Sequence, residues 1–163
     1  MDHENIGQLL GFIVAHSASI GDELKERELM VPFVISVLDN HPTVIDFEAE
    51  TQEMAVNNAE AKLAELSLSA DAWSYAQDGM VTMDDGSEQD VYFYKVWLNG
   101  MVEPLLAYQM YQKYPFKLKG NVQILNYVEA GLSPDLQEPL INGLNVGISS
   151  HDTANQKWDS WSQ

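Results

Sequence analysis

The sequence predicts an α+β fold: an antiparallel sheet of about six or seven strands, two hairpins around a three-stranded meander, with two main helices on one face and a short C-terminal helix. Three observations carry this reading. Apolar residues recur at three- and four-residue steps from Ile6 to Leu24 and again from Val56 to Leu66, the stripe of an amphipathic helix. Period-two alternation marks the segments around Val31 to Ala49 and those from Trp73 onward. Asp85-Gly86 and Asn99-Gly100 are turn pairs whose positive φ angles match the twist of paired strands.

The first helix is expected over about residues 4–18, continuing or restarting through the mixed-charge run Asp22 to Glu28 and ending before Pro32. Val31, Phe33, Ile35 and Val37 then alternate with their neighbours. After the polar turn Asp39-Asn40-His41-Pro42 the alternation resumes with Thr43, Ile45, Phe47 and Ala49, which makes a hairpin. The second helix is expected over about residues 51–66, with Glu50 and Glu53 at the positive end of its dipole.

The meander covers about residues 73–113. A two-residue turn at Asn99-Gly100 places Leu98 opposite Met101, Val96 opposite Glu103, Tyr94 opposite Leu105 and Tyr92 opposite Ala107. Pro104 cannot donate to a ladder, so its strand is expected to be an edge there or to carry a bulge. A smaller hairpin, Phe116 to Lys119 and Val122 to Tyr127 around Gly120-Asn121, extends the sheet. Ser133, Pro134 and Gly143 delimit a short helix over about residues 134–142. We read residues 1–128 as a single α+β domain and residues 129–163 as a C-terminal extension whose irregular tail carries Trp158 and Trp161.

Both faces of the meander are apolar, whereas a sheet with one wet face alternates cleanly between apolar and polar. The second face therefore calls for a cover: the C-terminal segment, a second subunit forming a homodimer, or a ligand. Trp158 and Trp161 either dock back on the domain or anchor a partner.

Charge is lopsided. The 163 residues hold 25 Asp and Glu against 8 Lys and Arg, a net charge of −17. Residues 1–90 hold 19 of the acidic residues and only Lys25, Arg27 and Lys62 among the basic ones. Such a field repels nucleic acid and anionic membranes and attracts cationic partners. Cysteine is absent, so thiol nucleophiles, disulfides and zinc-thiolate sites are excluded. The acidic start, Met1-Asp2-His3-Glu4, lacks the basic residues of a secretory leader, and no stretch approaches the roughly 18 apolar residues of a membrane span. The expectation is a soluble cytoplasmic protein.

No motif supplies a nucleophile, a phosphate loop, a dinucleotide fingerprint or a metal-ligand spacing, and no cofactor or metal is expected. Four histidines, at positions 3, 16, 41 and 151, stand apart from one another in sequence. Asp46 and Glu48 occupy alternate strand positions, which puts two carboxylates on one face. Asp84, Asp85, Glu88 and Asp90 crowd a hairpin tip without the spacing of a calcium loop. Together these six form the expected acidic face of a protein-binding module that recognises a basic partner, or else a solvated surface that serves solubility. The alternative function is a small-molecule site, binding or enzymatic, in the meander, lined by Tyr92, Tyr94 and Tyr111 with Asp46 or Glu48 as its polar group.

Overall fold

The computed structural model describes residues 2–25 and 27–162. Helix α1 (His3–Glu23) begins where Asp2 accepts the Asn5 N–H at 3.1 Å, a side-chain cap that satisfies one of the helix's free donors. Strands β1 (Phe33–Leu38) and β2 (His41–Asp46) form the first hairpin. Its turn is the pair Asp39-Asn40, at φ of 52° and 63°, so His41 and Pro42 belong to the strand rather than to the turn. Pro42 is tolerated because β2 is an edge.

Helix α2 (Gln52–Ser69) is capped by Thr51 and buries only the narrow stripe Ala55, Ala59, Leu63 and Leu66. Strands β3 (Ala72–Thr82), β4 (Glu88–Leu98), β5 (Leu105–Gln112) and β6 (Lys117–Ile124) follow. The six strands form one antiparallel sheet in the order β2-β1-β3-β4-β5-β6. Helices α3 (Gln137–Ser150) and α4 (Asp152–Trp161) complete the chain.

The α+β class holds, with four corrections inside it. First, the main helices lie on opposite faces of the sheet. Ser17 of α1 meets the Tyr94 hydroxyl at 2.6 Å on one face. Ser67 and Glu60 of α2 meet Trp73 Nε1 and Lys95 Nζ, at 3.0 and 2.7 Å, on the other. Both faces are apolar because each receives a helix layer.

Second, β4 and β5 pair with Val96 opposite Leu105 and Tyr94 opposite Ala107, two residues away from the register of a tight turn. The chain does reverse at Asn99-Gly100, but Met101 to Pro104 stay outside the ladder and β5 starts only after Pro104. A shift of two preserves which side chains share a face. Third, Gly120-Asn121 is no hairpin. Gly120, at φ +72°, sits in a bulge within the single strand β6, where the register slips between Tyr108 and Met110. Fourth, Gly143 ends nothing: α3 runs seven residues past it, and the polar tail forms α4.

The reason for Gly143 is packing. Gly7 and Gly11 on α1 face Gly143 and Gly147 on α3, each pair four residues apart and so on one stripe of its helix. A Cβ at Gly7 would run into the Leu140 carbonyl oxygen, one at Gly11 into that of Leu144, one at Gly143 into that of Glu4 and one at Gly147 into that of Gln8. The two helices touch backbone to backbone, which only glycine permits. Leu140, Ile148, Ala154 and Trp161 accordingly share one buried cluster with Ile6, Tyr94 and Leu105. Gly11→Ala and Gly143→Ala are each expected to cost about 2 kcal/mol, overpacking outweighing the better helix propensity of alanine. Urea unfolding measures this, and a variant as stable as the parent would mean that the helices can part without penalty.

Candidate functional site

The bulge in β6 and the close seating of α3 leave space between them. Gln109 clamps the bulge: its Nε2 donates to the carbonyl oxygens of Met110, Lys119 and Gly120 at 3.0, 3.3 and 3.1 Å. Strand β6 then presents Leu118, Val122 and Ile124 to α3, which offers Leu140, Ile141, Leu144 and Ile148, and Tyr127 and Trp158 also line the space. The result is a cavity of about 630 Å³. Its polar lining consists of Gln109, Asn121, Gln123, Gln137, Asn145 and Ser162 beside the Tyr127 ring, and no carboxylate, ammonium, guanidinium or imidazole is among the lining residues.

Helix α4 forms one wall and is held in three ways. Trp161, 2% exposed, stands edge-on to Phe116 with ring centroids 6.0 Å apart, and Trp158 packs against Trp161 at 6.4 Å. Ser162 bridges to Leu118 of β6. At the other end, His151 Nδ1 accepts the Ala154 N–H at 3.2 Å as the helix cap, which puts the neutral ring's proton on Nε2. That Nε2 lies 3.1 Å from His16 Nδ1 of α1 and donates to it. Phe12 and Phe33 enclose the pair. Burial lowers the His16 pKa, assisted by His151 and opposed by Asp46; burial also lowers that of His151, against the nearby Asp152.

The tyrosines expected to line a pocket do not. Tyr92, Tyr94 and Tyr111 are 0, 1 and 3% exposed, because α1 and its neighbours fill the space above them. Tyr92 and Tyr111 stack with centroids 4.1 Å apart, and Tyr111 donates to Asp78 Oδ1 at 2.6 Å. Burial pushes all three phenols above their ordinary range. Asp78, absent from the sequence-based candidates, also accepts the Met30 N–H at 3.0 Å; its burial raises its pKa, against the hydrogen bonds from Tyr111 and Met30. It ties the approach to β1 to the centre of the sheet.

The six acidic candidates are all exposed. Strand β2 ends at Asp46, so strand alternation does not pair Asp46 with Glu48. Glu48 instead lines a separate groove of about 360 Å³ with Glu50, Leu29, Val31, Phe47 and others. Asp84, Asp85, Glu88 and Asp90 sit at the β3–β4 hairpin, where the Asp85 carboxylate accepts the Ser87 N–H and hydroxyl at 2.9 and 2.6 Å, bonds that hold its pKa below the ordinary value. In register, Asp46 is level with Phe33 and Ala76, while Thr82 lies six residues further along β3, about 20 Å away. The acidic residues therefore make two separate groups. Among the described residues, no cluster of three or more His, Asp or Glu is arranged to hold a metal ion, and no helix is long and apolar enough to cross a membrane.

The chain matches no protein-family model, no curated protein and no solved structure. The geometry alone carries the functional argument.

The histidine pair sets a pH dependence of stability. Because the folded state lowers both pKa values below 6.5, the unfolded chain takes up protons that the folded pair refuses. The contribution is complete above about pH 6.5 and declines as pH falls below it. Urea midpoints of the parent and His16→Gln, compared between about pH 7.5 and pH 5.5, are expected to converge on acidification; a difference that stays constant across that window contradicts the assignment.

Proposed function

We propose that this protein is a binding module that holds a small, uncharged and mostly apolar molecule in the cavity between β6 and α3–α4. The observation that carries the reading is an uncharged cavity of about 630 Å³ in a chain of net charge −17. Its size falls within the roughly 300–1,000 Å³ of small-molecule sites, and its make-up, apolar walls with a few amides, is the usual one. The lining has no side chain poised to move a proton at neutral pH, which favours binding over catalysis. Titration with Nile red, a neutral dye, is expected to give saturable fluorescence at one site per chain. Ile141→Trp, at the partly exposed rim, is expected to weaken it at least about tenfold, while Asp84→Lys with Asp85→Lys leaves it unchanged. Unsaturable binding, or indifference to Ile141→Trp, overturns the reading.

A second reading, recognition of a basic protein, draws support from the other groove. Glu48 and Glu50 stand beside Leu29, Val31 and Phe47 there, a combination suited to a lysine or arginine side chain whose apolar stem and charged head need different surroundings. The hairpin-tip carboxylates would add long-range steering that fades with salt. Fluorescent hexalysine is expected to bind at low salt and to lose most of its affinity in Glu48→Lys with Glu50→Lys. Equal loss from Asp84→Lys with Asp85→Lys would reduce the effect to net charge and dismiss the groove.

A further inference from the structure

Gln109 is 2% exposed and lies opposite Tyr92, on the face of the sheet that the cavity occupies. Three carbonyl oxygens surround its Nε2. They settle the orientation of the amide, since the flipped group would turn Oε1 onto three other oxygens. With the nitrogen committed, Oε1 accepts no hydrogen bond among the described residues. Nor is it sealed in, as Tyr92 Oη and Tyr127 Oη are. Gln109, the residue that carries it, lines the cavity.

We infer that Gln109 Oε1 is the polar anchor of the cavity and that the ligand is a neutral molecule with an apolar body and a hydrogen-bond donor, such as an alcohol or an amide N–H. The inference rests on the small-molecule reading of this cavity. An amide oxygen with its nitrogen already spent can only accept, so it selects for a donor. It also selects against a carboxylate, which would set anionic oxygen against Oε1 in a site where no lysine, arginine or histidine lines the wall. The bulge serves this arrangement: with both amide protons committed to carbonyl oxygens of β5 and β6, the acceptor is the only hydrogen-bonding function the Gln109 side chain can offer.

Three probes of equal chain length separate the possibilities on the parent protein: 1-decanol, decyl methyl ether and decanoate, measured by calorimetric titration at about pH 7.5. Decanol is expected to bind about tenfold more tightly than the ether, the value of one hydrogen bond, with decanoate weakest. In Gln109→Met the alcohol and the ether are expected to bind alike. Should that variant fail to fold for want of its clamp on β6, the probe series on the parent decides alone. If alcohol and ether bind within about twofold of each other, or decanoate binds best, the cavity reading stands and the role of Gln109 is overturned. If none of the three binds, both readings are overturned together.

Discussion

The tyrosine face of the sheet depends on how closely α3 can lie against α1. With Gly7 and Gly11 facing Gly143 and Gly147, no side chain separates the helices, and any larger residue would meet a backbone carbonyl. This constraint assigns the faces of α3. The glycine stripe is consumed by α1, so Ile141, Leu144 and Ile148 are left to face β6. Helix α3 packs on α1 rather than directly on the sheet, and the cavity is the space between it and the β6 edge.

The charges follow the same division. Buried polar groups on the α1 side are neutral or hydrogen-bonded: Ser17 with Tyr94, Tyr111 with Asp78, His16 with His151. Pairing of this kind offsets much of the cost of burying a polar group. The carboxylates at the hairpin tip and after β2 remain in water, where like charges repel weakly. The acidic surface and the uncharged cavity are thus formed by different residues.

Much of the fold was legible in local pattern. The helix stripes of α1 and α2 and the alternation of β1 to β4 act over a few residues, and each lies where its pattern places it, whereas the β3–β4 turn is centred on Asp84-Asp85 and only Gly86 takes a positive φ. Glycine misled twice, because one conformational freedom serves several ends. Gly120 supplies a positive φ to a bulge instead of a turn, and Gly143 permits close packing instead of ending a helix. The spacing of Ala154, Trp158 and Trp161 suits a helix, but the polar residues between them hid α4. The cavity had no local signal at all. It joins residues 109–127 to residues 137–162, and Gln109 reads as an ordinary strand residue until its three carbonyl partners are known. The tyrosines were conspicuous for the opposite reason, since large aromatic side chains mark a core as readily as a pocket.

The central claim is the location of a ligand site, and amide chemical-shift mapping during titration with 1-decanol tests it most directly. The account predicts that the largest shifts centre on Gln109, Val122, Leu144 and Ile148, the residues that meet across the cavity. Shifts centred on Glu48 to Gln52 or on the β3–β4 tip, or none that saturate, would contradict it.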